Sequence, residues 1–521
     1  MTRRSAWWLV LGALTAILLA PLLIADVPPI LDYPNHLARF VLLAAGPDDP
    51  VLGPVFTPHW TIIPDLAVDV IGPPLLRVLP VHVAGRILLG GILLLNLAGV
   101  LALHRALFGR RSFWPLASGL VAYNSTFLLG FLAWQIGSGL AMLFAAAWLT
   151  WRERRPVATI AGAAAAAVVL FFCHAMGLAF FLVLIGSAEV YAIGSSRAAL
   201  GWTAAIRATS LLLVLAGPIV LWFLASLHDA PAATYWMTPL EKLVQAASPF
   251  VNYYFAFDMA SAALIYSGVA LGVATGLLTI APRAIPGVAA LAVLYVVLPF
   301  DLMSGAFLDT RVAIMLGFLL FAAVEPACLP WRTRRAIFAG LAVLFAVRMA
   351  VVAEVWTEHR RDLADLRAVI AAVPPGSLVY MTNVPQEEAP AYWDAGPRSR
   401  RISNGLRADF HLPALLLIER GAFWPILFAN PAQQPIRLRP FYARLAQEGH
   451  DIPSHAALVA HPDIGSAALG DFDFVLMLEA GADHDLPEFV PGCLVLMSRT
   501  DFAALFRVLR GATGCVTGVK D

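Results

Sequence analysis

The chain has 521 residues, of which 60% are hydrophobic and only 13% charged, and its mean hydropathy is +0.77. A soluble protein of this length carries about a quarter charged residues, so the excess apolar surface requires lipid as its solvent. The formal net charge of +1 leaves no electrostatic footprint for nucleic acid, which is excluded as a partner.

In chain order, Arg3 and Arg4 precede an apolar run of roughly 19 residues, Trp7 to Ala25, long enough to span a bilayer. No small-residue cleavage site follows it, so it reads as a retained anchor rather than a signal peptide. A first loop over about 27–80 is too polar to span and unusually long for a polytopic protein. Near its start lies Asp32-Tyr33-Pro34-Asn35-His36-Leu37-Ala38-Arg39. Pro34 suits the first turn of a helix and Asp32 its N-cap. Asp32, His36 and Arg39 then share one helical face at i, i+4 and i+7. An acid, an imidazole and a guanidinium at the mouth of a span suit acid/base chemistry on an anionic lipid-linked substrate. The same spacing equally describes an interfacial helix capped by its Asp and held to headgroups by its Arg.

Further apolar runs fall at 83–104, 113–129, 131–150, 157–173, 176–194, 208–227, 259–280, 286–300, 311–329 and 335–355, about eleven spans with the first. The pairs that meet at Gly130 and at His174 have almost no loop between them, as in tight hairpins or broken helices. Loops on the N-terminal side hold most of the arginines, among them Arg3, Arg4, Arg105, Arg110, Arg111, Arg152, Arg154, Arg155 and Arg332 to Arg335. Short loops on the other side hold only Arg39, Arg77, Arg86, Lys242 and Arg311. The positive-inside rule thus puts the N-terminus in the cytoplasm and, with an odd number of spans, the C-terminal part outside.

The composition changes at about Thr357, which divides the chain into a membrane domain over 1–356 and an external, periplasmic domain over 357–521. An amphipathic helix from His359 to Val373 is expected to open that domain, stopped by Pro374-Pro375-Gly376. Strand-like runs follow at Leu378–Thr382, Phe474–Leu478 and Leu494–Ser498, giving a small soluble α/β domain. No Gly-rich phosphate loop follows any of them. Cys173 and Cys328 fall in spans. Cys493 and Cys515 share the external domain, where they either pair or remain thiols.

Ionisable residues in or beside spans are unfavourable in lipid and so face protein or water. On the outer side these are Asp32, His36, Arg39, His174, Asp301, Asp309 and Arg311, with Arg348 in the outer half of the last span. An Arg at a helix start, such as Arg311 in Leu308-Asp309-Thr310-Arg311, can grip a phosphate with two prongs. It can equally pair with Asp309 or a headgroup. His174 suits a packing role as well as a ligand role. There is no HExxH, no CxxC and no close acidic cluster, so no metal site is assigned and no cofactor is implied; a divalent cation riding on a phosphate is compatible with this.

The layout and three motifs resemble the GT-C superfamily, integral-membrane glycosyltransferases that use polyprenyl-phosphate-linked sugars. The motifs are Asp32 to Arg39, Tyr123-Asn124 with Gly130-Phe131, and Leu308 to Arg311, and they are similar to those of bacterial GT-C-like proteins rather than members with a known substrate. The resemblance implies a polytopic α-helical fold that moves a sugar to an extracytoplasmic glycan, lipid or protein acceptor with inversion, at the bacterial inner membrane. It places the catalytic base on Asp32, with His36 orienting it or contacting the donor, and the lipid phosphate on Arg311, helped by Arg39 or Arg348. The first loop lacks a paired Asp-Glu and the C-terminal domain a WWD-type motif, which argues against protein O-mannosylation and oligosaccharyl transfer. Two rivals are a transporter or flippase, though no internal repeat is visible, and a non-catalytic envelope-assembly protein.

Overall fold

Within lipid a backbone N–H or C=O must find its partner inside its own segment, so long apolar runs become helices. The computed structural model describes residues 3–195, 200–226, 234–302, 305–327, 329–383, 397–446, 463–464, 467–480 and 492–511. Among these, eight helices are long and apolar enough to cross a membrane: Arg4–Leu23, Val81–Phe108, Leu132–Trp151, Pro156–Cys173, Ala175–Ser195, Ala204–Ala225, Phe255–Ala274 and Trp331–Ile370.

Three of the expected spans take other forms. Those at 286–300 and 311–329 are the shorter helices Ile285–Val297 and Leu308–Ala322. Pro299 pushes Leu298 into an extended conformation and ends the first of them. The stretch 113–129 is not one helix but a 3₁₀ segment, Trp114–Val121, and a four-residue turn, Ser125–Leu128. Asn124 starts that turn by accepting from the Phe127 N–H. It also receives Gln135 Nε2 at 2.9 Å and the Thr126 hydroxyl at 2.7 Å. The stretch is buried inside protein, so these side chains can satisfy a backbone that lipid could not.

The two tight junctions are broken helices. Gly130 turns the chain with φ +83° before Leu132–Trp151. At His174 the backbone is extended, and the ring Nδ1 accepts the Met176 N–H at 2.9 Å to start the next helix.

Trp331–Ile370 is one unbroken helix of 40 residues, where the sequence reading separates a span from an amphipathic helix at about residue 357. The composition turns charged there, but no glycine or proline falls between Gly340 and Pro374-Pro375-Gly376 to end the helix. Beyond it lies a four-stranded sheet in the spatial order Val379–Asn383, Phe474–Leu478, Ala503–Val508, Leu494–Arg499. The first pair is parallel, with Val379 opposite Phe474, and the others are antiparallel. The strand Ala503–Val508 is additional to the three expected from sequence. A turn at Thr500-Asp501 folds it back, closed by the Thr500 N–H on Ala503 O at 2.8 Å. Cys493 is buried and disulfide-bonded; Cys515 and Cys328 lie outside the described residues.

The C-terminal region interlocks with the first loop. Phe56–Pro58 pairs antiparallel with Ile436–Leu438. Asn35 donates to Ile426 O at 2.9 Å and accepts from Phe428 N at 2.8 Å. Arg367, near the end of the long helix, forks onto both Asp26 and Glu419 at 2.7 Å.

Candidate functional site

The helix Tyr33–Ala45 begins with Pro34 in its first turn, as expected. Asp32 precedes it but does not cap it with its side chain. A capping residue takes extended dihedrals so that its side chain can reach back to the first turn; Asp32 is already helical, at φ −84° and ψ −10°. Its carboxylate is therefore released from the helix. Its backbone is pinned instead, with Leu31 N on Leu128 O at 2.9 Å and Asp32 N on Leu129 O at 3.1 Å. Gly130 permits this approach, since a Cβ there would stand 2.8 Å from Asp32 N and 2.9 Å from its Cβ. The Asp32 carboxylate faces His411 of the C-terminal region, Oδ1 to Nδ1 3.1 Å.

His36 and Arg39 form a ladder behind Asp32. Arg39 forks onto Asp69, Nε to Oδ1 2.5 Å and Nη2 to Oδ2 3.1 Å. The same Nη2 donates to His36 Nδ1 at 3.0 Å, so the ring carries its proton on Nε2, which donates to Gly130 O at 3.1 Å. Burial, then the Arg39 charge, holds the His36 pKa well below its ordinary value. With both nitrogens engaged and no charge, His36 braces the Gly130 turn. Arg39 is buried and its fork is occupied by Asp69.

Arg311 stands in the first turn of Leu308–Ala322, where Phe307 enters the helix with φ 61°. Its Nη1 donates to Ala306 O at 2.6 Å and its guanidinium lies 4.8 Å from the centre of the Phe131 ring. Its Nε is buried with no partner. The carboxylates whose charge reaches it are Asp65 and Asp32. Asp65 itself is held at φ 70°, a left-handed conformation, with Oδ1 shut off and without a hydrogen bond. Although 44% of that side chain is exposed, burial of the carboxyl pushes its pKa up to about 6, against the pull of Arg311. His174 Nε2 lies 3.7 Å from Asp65 Oδ1.

The structure thus gathers Asp32, His36, Arg39 and Arg311 around the Gly130-Phe131 turn, with His174 joined through Asp65. The other candidates are engaged elsewhere. Asp309 pairs with Lys242 at 3.1 Å rather than with Arg311. Asp301 bridges Tyr235 through its backbone. Arg348 is held by Asp258 at 3.1 Å, Phe250 O and Asn252. Sequence reading did not single out His411, Asp65 or Asp69 as site residues. Asp65 and Asp69 carry a weak signal, as acids after Pro64 in an overlong loop; His411 carries none. Among the described residues no group of three or more His, Cys, Asp or Glu is placed to hold a metal ion.

No family model and no curated protein sequence matches the chain. Solved structures do. The crystal structure of ArnT from Cupriavidus metallidurans bound to undecaprenyl phosphate aligns with TM-score 0.55 at 11% identity, covering 98% of this chain and 99% of that one. The same protein in the apo state aligns with TM-score 0.52 at 11% identity, covering 97% and 98%. The cryo-EM structure of the arabinofuranosyltransferase AftD from Mycobacteria gives TM-score 0.43 at 14% identity over 98% of this chain and 40% of that one, too low a score to add to the assignment. The chain therefore shares the fold of ArnT along essentially its whole length.

Proposed function

We propose that this protein is a membrane glycosyltransferase that moves a sugar from a polyprenyl-phosphate donor to an extracytoplasmic acceptor with inversion. One observation carries the reading. In a fold shared with a protein solved with undecaprenyl phosphate, an uncapped carboxylate and an incompletely partnered guanidinium, Asp32 and Arg311, flank the same turn. Asp32 takes the proton of an acceptor hydroxyl. The oxygen attacks the anomeric carbon, the C1–O bond to phosphate breaks, and its electron pair leaves with the polyprenyl phosphate. Arg311 stabilises that developing charge, with its free Nε–H as the donor and the Phe131 ring as its support. The ladder of Asp69, Arg39 and His36 keeps the Gly130 turn in place, and Arg348 holds a separate part of the bundle. A divalent cation, if used, rides on the donor phosphate.

The arginine asymmetry supports an inner-membrane protein with a cytoplasmic N-terminus and a periplasmic C-terminal domain over 357–521. A periplasm-dependent reporter fused at Asp521 is expected to work and one fused at Arg335 to fail; the reverse pattern overturns the orientation. For the reaction, purified protein in lipid nanodiscs receives a radiolabelled glycosyl polyprenyl phosphate and the lipid, glycan and protein fractions of envelope membranes. Label is expected to move to one fraction in step with release of polyprenyl phosphate. Unchanged donor with every fraction removes the reading.

A further inference from the structure

We infer that His411, contributed by the C-terminal region, is the positioning residue that orients the Asp32 carboxylate for proton transfer. The inference rests on the glycosyl-transfer reading above. His411 is 4% exposed, and its Nδ1 is sealed from solvent with no hydrogen-bond partner. A buried ring nitrogen left unpaired is unfavourable, so a partner is to be expected close by. The polar atom that faces it is Asp32 Oδ1 at 3.1 Å, close but without hydrogen-bond geometry. Such contacts commonly align only once substrate is bound.

The ring has little freedom to look elsewhere. Phe410, Trp424 and Phe428 meet it edge-on, with ring centres at 4.9, 5.7 and 4.9 Å. Its backbone is fixed by Leu412 N on Asp409 O at 3.0 Å and Ala414 N on His411 O at 3.0 Å. Asp409 is in turn forked by Arg407. Docking of this region on the first loop is already secured one turn away by the two hydrogen bonds of Asn35. The contact with Asp32 adds little to that docking. What it does is occupy one oxygen of a carboxylate that no helix cap holds, leaving the other for the acceptor.

Two substitutions separate positioning from packing. His411→Phe fills the aromatic cage but lacks the N–H. His411→Asn places its amide N–H near the position of Nδ1 and forfeits the packing. Transfer is measured with full-length protein in nanodiscs, wild type and Asp32→Asn in parallel, at saturating acceptor fraction. His411→Phe is expected to lower kcat by roughly 10–100-fold and leave KM for the lipid donor within about twofold, while His411→Asn regains most of the rate. Wild-type kcat in His411→Phe, or no recovery in His411→Asn, overturns the inference and leaves the glycosyl-transfer reading intact. Should the wild-type protein itself move no sugar, that reading falls. The pairing is then decided by NMR of the histidine ring nitrogens in full-length protein in nanodiscs, with the His411 signal assigned by its loss in His411→Phe. That signal is expected to shift in Asp32→Asn, and an unmoved signal overturns the inference.

Discussion

Arg311 and Arg348 are both buried guanidinium groups in apolar helices, yet their surroundings differ in kind. Arg348 is saturated: Asp258 neutralises it, Phe250 O and Asn252 take further N–H groups, and Asp258 is itself bound by Ser403 at 2.7 Å. Arg311 has one carbonyl, one ring face and a buried Nε with nothing to bind. A charge taken from water is retained at that level of satisfaction only where something else supplies the missing contacts. On the proposed reading, Arg348 holds the fold together and the open Nε of Arg311 is kept for the donor phosphate.

The sharpest test of this contrast acts on the carboxylate opposite Arg311. Asp32→Asn is expected to lower transfer by roughly 10²–10⁴-fold, the contribution of a general base, with the unfolding midpoint nearly unchanged because no capping bond is lost. A matching fall in Tm would return Asp32 to a structural role. Next come the arginines themselves. Arg348→Met leaves Asp258 buried without its counter-charge, which should destabilise the protein by about 3–5 kcal/mol in thermal or denaturant unfolding. Arg311→Met should unfold close to wild type while losing donor use, and equal destabilisation by the two substitutions breaks the comparison.

A smaller effect belongs to the ladder. Arg39→Lys keeps one contact to Asp69 but loses the fork and the bond to His36, an expected loss of about 1–3 kcal/mol seen as a lower Tm. The smallest concerns Asp65. Its folded pKa of about 6 lies above the ordinary 3.8, so the folded state keeps a proton that the unfolded chain releases between those values. Above pH 6 both states are ionised and the folded one carries the unfavourable burial. Asp65→Asn tolerates the left-handed backbone equally well and should raise Tm at pH 7 by an amount that vanishes near pH 4. A gain equal at both pH values would remove titration of Asp65 as its cause.

The parts legible in the sequence were those governed by local composition. Long apolar runs give the eight long helices, and short strand-like runs give three strands of the C-terminal sheet. The run 113–129 misled because hydropathy does not distinguish lipid from protein as surroundings, and Asn124 and Gln135 meet only after folding. The helix through residue 357 was hidden because a change from apolar to charged leaves helix propensity intact. Within the candidate site, Asp32 and Arg311 stood out because charge beside a span is unfavourable and so demands a reason. Asp69 and His411 did not, because one lies on a separate helix of the loop and the other far along the chain. Helical spacing puts His36 on the face of Asp32 and Arg39 but does not show what occupies its two nitrogens, which only the turn at Gly130 and the fork at Asp69 reveal.

The unbroken helix Trp331–Ile370 is roughly 60 Å long, about twice the hydrocarbon thickness it crosses. Its C-terminal half is lashed to the chain just ahead of Asp32, through His359 Nε2 on Val27 O at 3.1 Å and Arg367 on Asp26. It is a mast stepped in the bilayer and stayed to the first loop. A tilt of about 5° in the membrane moves a point about 30 Å above it by more than 2 Å, and helix tilt answers to lipid thickness. Bilayer thickness is therefore a mechanical input to where the Asp32 turn and the C-terminal region stand relative to the membrane surface.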